Sequence, residues 1–268
     1  MSYVLNIRPI ANGNKQQAIM SVKKAAGAGK GNMVNLVILL ECFGICLTII
    51  ALLLLLNGEG AKEQKLLILI MCGTLVQNIG YLLELTAPTV EAAITAVTVE
   101  NAGSTFVPLC YCWFIYIYCC INPPKTFLRI IGTISFFTLP TVFFNWHGLF
   151  YQDVQWLADA NGFYHISITY GPLYVLFLFS RIIIPYTLCI CTLIKAIREH
   201  SDRQINRQYW TILGISTLPV IMLAVYVFKF VTVFDLTPVT LAISMSLVVI
   251  VVWSRRNYDF RYLAAEKV

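Results

Sequence analysis

Seven apolar runs separated by short polar stretches set the pattern of this chain. They cover residues 34–56, 66–85, 92–120, 127–144, 171–194, 209–230 and 234–253. A helix crosses a bilayer core in about 20 residues, so each run is close to one crossing. The third is less apolar at its start and the fourth is short. No run alternates with period two, which disfavours a barrel. Backbone groups in lipid must bond within their own segment, so the pattern predicts an all-α membrane protein, a seven-transmembrane helix bundle.

Composition agrees: 59% of residues are hydrophobic and only 12% charged, where a soluble domain carries roughly 25% charged residues. The net charge of +6 matters less than where lysine and arginine fall. The first loop has Lys62 and Lys65, the third Lys125 and Arg129, the fifth Lys195, Arg198, Arg203 and Arg207, and the stretch after the last run Arg255, Arg256 and Arg261. The second, fourth and sixth loops have none. Short loops rich in lysine and arginine stay in the cytoplasm, which predicts a cytoplasmic C-terminus and an outside N-terminus. The basic tail, with Arg8, Lys15, Lys23, Lys24 and Lys30 and no acid, runs against that rule, but the alternation of the later loops outweighs it. Three parts follow: a disordered tail at 1–33, a membrane domain at 34–257, and the start of a cytoplasmic signalling helix at 258–268. The tail's "GAGKGN" lacks the Ser or Thr and the preceding strand of a phosphate loop and reads as a linker.

Charges within membrane helices are costly and therefore candidates for function. At 1.5 Å per residue, Glu41 falls about two turns below the outer surface in the first helix. Asn78, with Gln77, lies at similar depth in the second, where Glu84 is near the rim. Glu100 and Asn101, followed by Ser104 and Thr105, lie two to three turns down the third, and Arg181 matches them in the fifth. Lys229 and Asp235 stand at the outer rim. The inner half has few such groups. A cluster in one half suits a ligand pocket or a structural network better than an ion path through the whole thickness. Depth pairs Glu100 with Arg181, with Glu41 as the competing acid. Pro108, Pro140, Pro185 and Pro219 fall inside helices and can kink them.

Other chemistry is not indicated. All nine cysteines lie in apolar runs, where they read as small packing residues rather than a disulfide or zinc framework. His147, His165 and His200 are scattered. No hydrolase or metalloprotease pattern appears, and no lysine in 234–253 could hold a retinal. No cofactor or metal is expected. The long fourth loop, 145–170, is rich in aromatics suited to the headgroup zone, lying flat or forming a lid.

Several ordered motifs resemble one family. Glu100-x-x-Gly103 followed by Pro108 and Phe114, the turn "INPPKTFLRI", "HGLFY", "YGPLY", "RQYW", "DLTPVTLAIS" and the final "RRNYDF" resemble the N-terminal seven-helix sensor region of bacterial histidine kinases, also found before diguanylate cyclases. Tyr111 stands where the family commonly has tryptophan. The resemblance implies a sensory input domain that is not an enzyme, in the bacterial cell membrane. It would detect an outside or membrane signal and pass it through the last helix. That helix has Asp235 and Pro238 at one end and Arg255 and Arg256 at the other. The implied partners are the lipid bilayer, an unknown small-molecule or membrane signal, a cytoplasmic kinase or cyclase output domain in cis or trans, and a second copy in a homodimer; nucleic acid is not among them. The helix-forming end "YLAAEKV" reads as a run that continues in a longer chain. The alternative class, a small-solute transporter or channel subunit, predicts internal repeats and helices broken at mid-membrane.

Overall fold

The computed structural model describes residues 31–57, 62–158, 164–228 and 234–265, with side chains beyond Ser254 left out. The tail at 1–30, Lys229, and the side chains of His165, Arg255 and Arg256 lie outside the described residues. The helices are α1 (Gly31–Leu56), α2 (Lys62–Leu85), α3 (Val90–Ser104), α4 (Val107–Tyr118), α5 (Lys125–Phe144), α6 (Pro172–Leu178), α7 (Ile184–Glu199), α8 (Arg203–Val227) and α9 (Thr237–Ala265). A π turn, Phe179–Ile183, joins α6 to α7. Six stretches are each long and apolar enough to cross a membrane: α1, α2, α5, α6 with α7, α8 and α9. The seventh crossing is α3 followed by α4, of 15 and 12 residues, each too short alone.

Small and polar residues, rather than apolar ones, mark the packing faces. On α1 the buried positions are Val37, Glu41, Gly44, Thr48, Ala51 and Leu55, at alternating steps of four and three, while Leu36, Leu39, Phe43 and Leu53 face outward. Lipid is as apolar as leucine, so close backbone approach decides which face packs. Between α2 and α3 the approach is closest. A Cβ on Gly80 would lie 2.5 Å from the Glu100 nitrogen, and one on Gly103 would lie 2.5 Å from the Gln77 nitrogen. Toward the other end, Tyr111 bonds Ser216 across α4 and α8, and Tyr118 bonds Gln208 at 3.2 Å. α9 packs on α8, α1 and α2, and half of its apolar span is buried, the largest share of any of these spans.

The long fourth loop forms an antiparallel hairpin, β1 (Tyr151–Ala158) with β2 (Tyr164–Tyr170). Asn145, in the left-handed conformation at the end of α5, holds its base. Its Oδ1 accepts from the Tyr151 and Phe150 amides at 2.8 and 3.2 Å, and its Nδ2 donates to the Tyr151 carbonyl at 2.9 Å. Phe150 is fully buried in a small cluster with Val97, Val142 and Phe177, which fixes the hairpin on α3, α5 and α6.

Candidate functional site

The break between α3 and α4 follows from one missing hydrogen. In a continuous helix the amide of residue 108 would bond the carbonyl of Ser104, but Pro108 has no N–H. Ser104 and Thr105 loosen the same turn, bonding back to the carbonyls of Glu100 and Asn101 at 2.8 and 2.6 Å, a habit that bends helices. The orphaned Ser104 carbonyl accepts from Arg181 Nε at 2.9 Å. Arg181 Nη1 donates to Asn101 Oδ1 at 3.3 Å, and its guanidinium lies 4.5 Å from the centre of the Phe177 ring. Arg181 itself sits in the π turn. There the Ile184 amide reaches back to Phe179, and Pro185 leaves the Arg181 carbonyl without its usual helical donor.

The expected Glu100–Arg181 ion pair is therefore absent: the two interact only at longer range. The guanidinium went to a carbonyl that a proline had freed. Glu100 faces acids instead. Its carboxyl meets that of Glu84, with Asp235 and Glu41 also in electrostatic range. Sequence depth missed the Glu84 contact; the signal was Gly80, which seats the Glu100 backbone on α2. Asp235 lies just ahead of α9. Its Oδ1 accepts from the Thr237 amide at 2.8 Å, and its own amide donates to Tyr81 Oη at 2.8 Å. Burial pushes the Asp235 carboxyl above its ordinary value, and the Thr237 bonds oppose that shift.

Glu41 and Asn78 share the seam of α1, α2 and α9, where Gly44 packs on Asn78, Val239 and Ala242. Glu41 is fully buried, and neither of its oxygens has a hydrogen-bond partner among the described residues. The same holds for Asn78 Oδ1, Gln77 Oε1 and the hydroxyls of Thr74 and Thr237. Asn101 extends the network to the hairpin, its Nδ2 lying 3.3 Å from Tyr151 Oη. Pro238 stands in the first turn of α9, where its missing N–H costs nothing. A cavity of about 40 Å³ beside Arg181 is lined by Gln77, Pro108, Tyr186, Pro219 and Thr237, enough for one or two waters. All nine cysteines are free thiols, and no metal-holding group of His, Cys, Asp or Glu occurs among the described residues.

Apolar helices around a buried polar network in one half define a multi-pass helical membrane protein. The model of one family, the N-terminal 7TM region of histidine kinase, matches residues 38–261, and the chain belongs to that family. No curated protein matches the sequence.

Proposed function

We infer that this domain is the input of a signalling receptor in a bacterial cell membrane. It receives an outside or membrane signal and passes it through α9 to a cytoplasmic histidine kinase or diguanylate cyclase domain. The observation that carries this reading is the position of α9, which touches α8, α1 and α2 and continues as helix to Ala265, past its apolar span. A rod packed on so many neighbours registers a change in their packing. The receiving residues are Glu41, Asn78, Glu100, Asn101 and Arg181, next to Asp235 and Pro238 at the head of α9; Arg255 and Arg256 anchor its other end. Lysine and arginine in alternate loops support an outside N-terminus and a cytoplasmic C-terminus, with 34–257 as the membrane domain, 1–33 as its tail and 258–268 as the first turns of the signalling helix.

The transporter reading draws on the broken third crossing and the π turn, which are the interruptions that such proteins use. Here the carbonyl freed by Pro108 is already occupied by Arg181, which favours a switch over a path. The test is a chimera joining α9 to a kinase core, with one to seven residues inserted after Tyr262. Each added residue turns the helix by about 100°, so kinase output should rise and fall with helical phase. Output that is flat across the series rejects a signalling rod. Reporter fusions after Lys62, Asp159 and Val268 should read inside, outside and inside; an inside signal at Asp159 rejects the orientation.

A further inference from the structure

We propose that the acidic cluster between α1, α2, α3 and the head of α9 binds a small organic cation bearing an ammonium group. The proposal rests on the sensory reading and names its ligand class. Glu41, Glu84, Glu100 and Asp235 come from four separate elements, and Glu100 lies in electrostatic range of the other three. Four carboxyls gathered where water is scarce repel one another unless protons or a positive charge join them. The cation described beside them is Arg181, and its guanidinium is held by Ser104, Asn101 and the Phe177 face.

Independent support comes from groups that lack partners. Glu41 is fully buried, with both oxygens unbonded among the described residues, and it faces Asp235 and Glu100. Asn78 Oδ1 and Gln77 Oε1, on the adjoining face of α2, also lack donors. These oxygens accept where the carboxyls are ionised, and the unbonded hydroxyls of Thr74 and Thr237 can accept as well as donate. Buried acceptors need donors, and a ligand that suits the ionised cluster carries positive charge and N–H or polarised C–H groups. An anion or a neutral acceptor would deepen the mismatch.

Two features select an ammonium over a metal ion. Among the described residues no three of His, Cys, Asp or Glu converge to hold a metal. Tyr81, Tyr174 and Tyr226 stand around the same carboxyls, and tyrosine rings attract alkylammonium groups through their faces. Glu84, Glu100 and Asp235 are only half-buried. A cation drawing Asp235 toward Glu41 would pull the head of α9 toward α1.

The test is thermal unfolding of the full chain in lipid nanodiscs with tetramethylammonium chloride or putrescine dihydrochloride, against sodium chloride at equal ionic strength. The ammonium salts are expected to raise Tm by several degrees, saturably. Glu41→Gln and Glu100→Gln should each weaken the apparent Kd about tenfold or more. Glu199→Gln, in the exposed pair with Lys195, should leave it unchanged. Equal shifts with sodium chloride, larger shifts with calcium chloride or sodium glutamate, or full binding in both Gln variants overturn the proposal. Should those variants not fold, saturation transfer to the methyl protons of tetramethylammonium reads binding on the unaltered chain, and its absence is equally decisive. Failure here leaves the insertion series after Tyr262 untouched, and a flat insertion series leaves ammonium binding untouched, so the two readings fail separately.

Discussion

Replacing Arg181 with Met should leave the Ser104 carbonyl buried without a donor, at a cost of about 2–3 kcal/mol, read as a lower unfolding temperature in nanodiscs. Pro108→Ala supplies the missing amide, so in the double variant the loss should be clearly smaller than the sum of the two single losses. Additive losses would mean that Arg181 is held for some other reason. Asp235 gives a pH signature. Its carboxyl is raised above the ordinary 3.8, so its contribution is full below that value and is lost as pH rises through the value in the folded chain. Asp235→Asn keeps an oxygen for the Thr237 amide and removes the charge, so its stabilising effect in thermal scans should grow as pH rises above about 4 and level off once Asp235 is ionised in the folded chain. A gap that narrows as pH rises would contradict the burial of this acid. The sequence placed Arg181, Asn101 and Glu100 at one depth, because rise per residue is fixed, but depth carries no azimuth. The guanidinium's actual partner was a backbone carbonyl, which side-chain matching does not consider.

Among the elements, α2 and α3 meet through glycine. Ala at Gly80 or Gly103 puts a methyl carbon against backbone atoms, and overpacking of this kind costs about 1–3 kcal/mol. Ala at Gly214, which meets nothing within 4 Å, should be neutral or stabilise α8 by up to about 1 kcal/mol. Thermal unfolding of the three variants separates a packing seam from a general intolerance of alanine. The seven crossings were legible because lipid leaves so few backbone solutions. The helix starts were less so: α2 and α8 begin with charged turns outside the apolar runs, and Asp202 caps α8 through the Gln204 amide. The hairpin was missed although Ile166, Ile168 and Tyr170 alternate with polar residues, since its aromatics also suit a headgroup layer. The buried stripe of α1 was hidden for another reason. A helix apolar all round shows its packing face only through Glu41, Gly44, Thr48 and Ala51.

For the molecule as a whole, the chain belongs to the histidine-kinase 7TM region family and α9 packs on three neighbours; the conveying of packing that we propose would need both. The hairpin joins that core through Phe150, whose ring stands 5.0 Å from Phe177, the ring under Arg181. Chain order and depth could be read from the sequence; which helix lies beside which could not, because every helix offers lipid-compatible surface on several sides. The π turn has a consequence for how the fifth crossing must be counted. It contains one residue more than an α-turn would, so positions before Phe179 and after Ile183 are out of phase by about 100°. A single helical wheel drawn from Pro172 to Glu199 would thus assign the wrong face to half of its residues. The extra residue also lets Phe177 meet the hairpin while Cys189 and Leu193 stay in the main core. Losing that residue would preserve the helix yet turn its two halves against each other, parting the hairpin from the bundle without unfolding either.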